Sequence, residues 1–154
     1  EMARVPVASA DLATASPQSL LLFVIQPPVD PSLESSFRVI TMDDSSDVFS
    51  AGFYKLINLS GESLYFQIGD EQRILQSMEQ SLVNLTKQGR RLVDVSVLQN
   101  DGGQTSQVYR SQWPSQPLKR SLVFFFPPTN SGAGGIETFV VTDYNLTGIE
   151  SVDR

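Results

Sequence analysis

The chain has 154 residues, and 17 acidic residues against 11 basic ones give it a net charge of −6. It contains neither histidine nor cysteine. This double absence excludes Cys/His zinc or copper sites, disulfides and Ser-His-Asp or Cys-His catalysis. The negative charge disfavours nucleic-acid binding, and the length is that of one ordinary domain with its own core.

Charged residues make up only 18% of the chain, below the usual quarter, so that serine, threonine, glutamine and asparagine supply the polar surface. This composition is more common in exported proteins than in cytosolic enzymes. The sequence begins at Glu1 and not at a methionine, as a processed product would. We therefore expect a bacterial periplasmic or cell-surface protein whose signal peptide has been removed. The longest apolar run has six residues, too short for membrane insertion.

The elements predicted in chain order begin with a flexible leader over residues 1–18, where small residues lie between Pro6 and Pro17. Residues 20–25 form a continuous apolar run that ends at two prolines, and residues 122–126 form another. Short aromatic or β-branched runs ended by prolines are typical of strands buried on both faces. Both runs are therefore predicted to be central strands.

Shorter strand patterns fill the rest of the chain, and most are separated by Gly, Asn or Ser turns. They cover residues 37–41, 52–58, 63–68, 73–75, 80–84, 92–98, 107–113 and 136–142. Val93, Val95 and Val97 alternate with polar residues, and an Asn-Asp-Gly-Gly turn follows, which predicts a β-hairpin over 92–113. Turns at 60–61 and 69–70 predict a three-stranded meander over 52–75.

About nine or ten short strands without a long helical pattern predict an all-β fold. We expect a single-domain antiparallel β-sandwich over residues 19–145, immunoglobulin-like in architecture, with a C-terminal tail over 146–154. The missing Cys…Trp…Cys pattern argues against a true immunoglobulin domain.

The candidate ligand-binding residues are the aromatic side chains Tyr54, Tyr109 and Trp113, since sugar-binding sandwiches stack sugar rings on exposed aromatics. Tyr65 and Tyr144 complete the set. In a strand, Tyr109 and Trp113 share one face, which fits either an exposed platform or the core.

Three acidic residues, Asp43, Asp44 and Asp47, offer oxygen atoms to calcium but lack the glycine and distal glutamate of an EF-hand. We interpret them as a solvated turn and predict no metal site, no cofactor and no catalytic carboxylate pair. Asn58, Asn84 and Asn145 each begin an Asn-Leu-Ser/Thr sequon, a pattern that also fits the end of a strand.

Residues 52–69 and the hairpin ending in Ser111-Gln112-Trp113-Pro114 alternate strands, Asn-Leu-Ser/Thr turns and glycines. Over residues 52–126 this pattern resembles uncharacterised exported bacterial β-sandwich proteins, which implies a periplasmic or surface location. We expect a non-catalytic extracytoplasmic interaction module of the cell envelope, whose partner is another envelope protein or a second copy. The alternative is a carbohydrate-binding module that uses exposed Tyr and Trp side chains.

Overall fold

The computed structural model describes residues 19–26, 36–101, 103–129 and 135–144. The predicted leader and C-terminal tail lie outside these residues. Ten β-strands and one short 3-10 helix form the described part of the chain, which confirms the all-β class. Their bounds are β1 Ser19–Gln26, β2 Ser36–Asp43, β3 Phe53–Asn58, β4 Leu64–Ile68, β5 Glu71–Leu75, β6 Gln80–Asn84, the 3-10 helix Leu85–Gln88, β7 Leu92–Asp101, β8 Gln104–Pro114, β9 Lys119–Phe126 and β10 Glu137–Tyr144.

The chain divides into two compact units, Glu1–Val48 and Phe49–Arg154. In the first unit β1 and β2 pair antiparallel as a two-stranded sheet. Within the described residues β2 is the sheet neighbour of β1, so that the central position predicted for residues 20–25 is not seen there. A continuous apolar run reports burial and carries no information on how many strands pair with it.

The second unit contains two four-stranded sheets packed against each other, which confirms the predicted β-sandwich. The first sheet has the strand order β10-β9-β3-β6, and the second has the order β5-β4-β7-β8. All pairs in both sheets are antiparallel except β3 with β9, which is parallel. No helix in the described residues has the length and apolar character needed to cross a membrane.

The core lies between the two sheets and takes side chains from both. Phe66 of the second sheet meets Phe125 of the first edge to face, with ring centroids 5.0 Å apart. Val93, Val95 and Val97 all point into the core, as their alternation predicts. In β9, between β10 and β3, residues 121–125 are buried in succession, which confirms the central strand predicted over 122–126.

The predicted meander over residues 52–75 is wrong in its sheet assignment. β4 and β5 form a hairpin in the second sheet, whereas β3 belongs to the first sheet, between β9 and β6. The turn around Gly61, whose φ is +91°, reverses the chain and also carries it from one sheet to the other. Turn residues signal a reversal and leave the sheet of the next strand undetermined. The predicted β7–β8 hairpin is confirmed.

Candidate functional site

The structure brings the three candidate aromatic residues into one cluster. Tyr54 comes from β3, while Tyr109 and Trp113 come from β8. The rings of Tyr54 and Trp113 stack with centroids 5.0 Å apart and planes 10° from parallel, and Tyr109 meets Trp113 at 6.4 Å. Trp113 Nε1 donates to Tyr109 Oη at 3.0 Å, and Tyr54 Oη donates to the Pro114 carbonyl at 2.8 Å. The polar ends of these rings therefore have partners within the protein.

The cluster is largely buried, since Tyr54 and Trp113 are 7% and 5% exposed. Tyr109 is half-buried and packs against the core. Burial raises the pKa of the Tyr54 phenol, while a hydrogen bond with the Ser121 side chain opposes the shift. Stacked, hydrogen-bonded and buried rings contribute mainly to core packing, and they leave little ring surface for a sugar.

A cleft of about 380 Å³ opens beside this cluster, between the two sheets at β8 and β10. Hydroxyl groups of Ser121 and Thr142 lie 2.9 Å apart on its wall. Lys119 is the charged residue of the lining, and its Nζ atom lies 4.7 Å from the centre of the Tyr144 ring. The remaining lining residues are Tyr54, Tyr109, Ser111, Trp113, Pro114, Gln116, Val123 and Val140.

Strand β10 forms one wall of the cleft and, among the described strands, is the edge of its sheet. Four of its apolar side chains, those of Phe139, Val140, Val141 and Tyr144, are between 42% and 59% exposed. Successive strand residues project to opposite faces, so β10 is apolar and exposed on both faces. Edge strands usually carry protection such as inward charges, prolines or bulges. The middle of β10, residues 138–142, contains no charged residue or proline.

The opposite side of the sandwich, by contrast, is closed by polar side chains. Arg73 of edge strand β5 donates to the Ser81 hydroxyl of edge strand β6 at 3.3 Å. Arg73 also forms an ion pair with Glu71 at 2.6 Å. On the side of β8 and β10, the described residues form the cleft instead.

The acidic run begins at Asp43, the last residue of β2, and leads into a turn. Asp43 Oδ1 accepts the backbone N–H of Ser45 at 2.8 Å, the local bond expected of an aspartate in a turn. In the part of the chain that the structure describes, no three acidic side chains are grouped in a way that could hold a metal ion.

Two of the three sequon asparagines have a structural role that sequence reasoning only touched on. Asn58 ends β3 and Asn84 ends β6, and each side-chain oxygen accepts the N–H and the hydroxyl of the residue two positions later. Asn58 Nδ2 also donates to the carbonyls of Glu62, Leu75 and Gln76. In the sequence, the Asn-Leu-Ser/Thr pattern that both positions share is the signal that could have indicated this role at a strand end. Asn145 lies outside the described residues.

No protein-family model matches the sequence, and no curated protein or solved structure shows significant similarity to it. The candidate surface consists of the exposed strand β10 and the cleft beside it. Its function has to be argued from this geometry.

Proposed function

We propose that this protein is a non-catalytic interaction module of the bacterial cell envelope that binds an extended segment of another protein along β10. The observation that carries the proposal is the exposed edge strand, apolar on both faces and uncharged in its middle. An edge of this kind offers unpaired backbone N–H and C=O groups to an added strand.

The cleft supplies a means of selecting the added strand. Val140 and Thr142 line the cleft, so their side chains point to the inner face of the sheet, while Phe139 and Val141 point to the outer face. Inner-face side chains of a bound segment would lie next to Val140 and Thr142 and reach towards Tyr109. Backbone bonds then give affinity, and the cleft gives side-chain specificity.

Pairing with a second copy of this chain is a poorer fit. In a dimer with its two-fold axis perpendicular to the sheet, two copies of β10 pair antiparallel. Each residue then lies opposite a residue of the copy whose side chain projects to the same face of the sheet. If the axis passes through Val140, Glu137 lies opposite the copy's Asp143, and like charges directly opposite each other are destabilising. If the axis passes through Val141, the apolar Phe139 lies opposite the charged Asp143 of the copy. A different chain with apolar alternation and basic flanking residues fits this edge better.

Composition supports the remaining parts of the proposal. The chain contains no histidine or cysteine for nucleophilic catalysis, and its surface is rich in uncharged polar residues. A location outside the cytoplasm and a role as an accessory to other envelope proteins agree with this composition.

Site-specific photocrosslinking tests the proposal. The photoreactive residue p-benzoylphenylalanine replaces Phe139 on β10 or, as a control, Leu118, which is 62% exposed in the turn before β9. In envelope preparations we expect a discrete protein adduct at position 139 and none at 118. A Val141→Lys change should remove the adduct, whereas Leu118→Lys should leave it in place. Equal yields at the two positions, or an adduct that survives Val141→Lys, contradict the proposal.

A further inference from the structure

A second surface lies on the outer face of the other sheet and is centred on Tyr65. In the strand register, Tyr65 of β4 is opposite Ile74 of β5 on one side and Leu98 of β7 on the other. These three side chains form an apolar row across the sheet. Tyr65 is 36% exposed and Ile74 57% exposed. An open groove of about 670 Å³ follows this row.

Amide side chains flank the apolar row on one side. Gln67 and Gln72 are opposite each other in β4 and β5. Gln67 Nε2 donates to the Gly69 carbonyl at 2.6 Å, and Gln72 Nε2 donates to Gln67 Oε1 at 2.8 Å. This chain of bonds fixes both amides in place and leaves the Gln72 oxygen without a partner among the described residues. A fixed amide loses less conformational freedom when it binds a ligand than a mobile one does.

Polar groups also flank the other side of the row, where Asn100 of β7 is opposite Thr105 of β8. Among the described residues, Arg73 is the charged side chain of the groove lining, and it is ion-paired with Glu71 at 2.6 Å. The groove is therefore electrically neutral, which disfavours both anionic and cationic ligands. Its apolar part is one row of three side chains, small in comparison with the roughly 20–30 residues that each partner contributes to a standard protein-protein interface.

We propose that this groove binds a short neutral oligosaccharide, with one sugar ring against Tyr65. A sugar ring presents C–H groups on its faces and hydroxyls at its rim, so that it needs a flat apolar surface bordered by groups that both donate and accept. Tyr65 with Ile74 and Leu98 provides the surface, and the amides of Gln72 and Asn100 provide the border. The sequence analysis considered a carbohydrate site at Tyr54, Tyr109 and Trp113, whereas this proposal places the site at Tyr65.

Affinity electrophoresis in gels that contain a defined polysaccharide tests the proposal. The probes are three neutral polymers, a mixed-linkage β-glucan, a xylan and a mannan, with the acidic polymer polygalacturonate as the charged comparison. We expect at least one neutral polymer to retard the protein. Tyr65→Ala should weaken that binding about tenfold or more through the loss of ring stacking, and Tyr65→Phe should retain it. Gln72→Ala should also weaken it, because the mutation removes the fixed amide.

The matched control is Tyr144→Ala, since Tyr144 is exposed like Tyr65 but lies on β10 of the other sheet. This variant should bind the polymer like the wild type, and thermal melting checks that every variant is folded. Lack of retardation by all three neutral polymers, undiminished binding by Tyr65→Ala, or preference for polygalacturonate each overturns the proposal. The crosslinking at Phe139 reports on a different sheet, so that the two proposals fail independently.

Discussion

Replacing Asn58 by aspartate is the sharpest test of how the two sheets are connected. Asn58 is fully buried at the end of β3, and its Nδ2 atom donates to Glu62 O at 2.7 Å, Leu75 O at 2.9 Å and Gln76 O at 3.1 Å. This one amide therefore binds the loop that follows β3 and the chain that leaves β5. Asn58→Asp keeps the volume and the acceptor oxygen but turns the donor into an oxygen that faces three carbonyls.

The size of the effect follows from the two N–H donors of the amide, which the three carbonyls share. A hydrogen bond within a protein contributes about 1 kcal/mol net, so that losing both donors costs roughly 2 kcal/mol, before any repulsion between the carboxylate and the carbonyls. For a chain of this size, that loss lowers the melting temperature by roughly 4–8 °C. Acidification that protonates the new carboxyl restores one donor, so the difference from wild type should narrow at low pH.

The matched control is Asn84→Asp, the same change in the same Asn-Leu-Ser/Thr pattern. Asn84 Oδ1 accepts from the Thr86 N–H at 3.0 Å and the Thr86 hydroxyl at 2.6 Å, and its Nδ2 has no hydrogen-bond partner in the described residues. Aspartate preserves both bonds, and the expected change is within about 0.5 kcal/mol. Urea unfolding followed by tryptophan fluorescence measures both variants. Equal stability of the two variants would refute the structural role assigned to Asn58.

Three further outcomes are expected. Phe125→Ala removes a fully buried ring and should lower the free energy of unfolding by about 3–5 kcal/mol in urea titrations. Phe139→Ala, at an exposed position, should lower it by under about 1 kcal/mol. Similar losses for the two variants would contradict the assignment of Phe125 to the core. The side chain and N–H of Thr129 lower the pKa of Glu137, so its contribution to stability is present above the unfolded-state pKa and lost as pH falls through the folded value. An NMR titration of Thr129→Ala should find that pKa raised, and an unchanged pKa would exclude the side-chain bond. Calorimetry should find no calcium binding tighter than about millimolar at residues 43–47, and a micromolar site would contradict their interpretation as a turn.

The strands themselves were predictable because their signals are local. Alternation of Val93, Val95 and Val97 with polar residues identifies a half-exposed strand wherever its partner comes from. The continuous run in β9 likewise identified a strand buried on both faces. Each of the ten predicted strand patterns overlaps one observed strand.

Sheet membership was not predictable, because it depends on partners that are distant in sequence. β3 pairs in parallel with β9, so that Leu56 is opposite Val123 across more than sixty residues of chain. Nothing near residues 52–58 indicates that partner, whereas the turn at Gly61 suggests pairing with the next strand. The meander was therefore the natural prediction and the wrong one.

The environment of the aromatic cluster depends on one irregular residue. A regular hairpin that continues the pairing of Asp101 with Gln104 and Leu98 with Gln107 would place Val97 opposite Val108. Tyr109 and Trp113 would then share the solvent face with Asp94. Instead, a bulge at Val108 shifts the register by one, so that Val97 is opposite Tyr109 and Val93 opposite Trp113. Since a shift of one residue exchanges the two faces of a strand, this bulge moves both aromatic side chains from solvent to core. A bulge at a valine has no signature in composition or alternation, which is why the sequence favoured a core face for these aromatics without excluding a sugar platform.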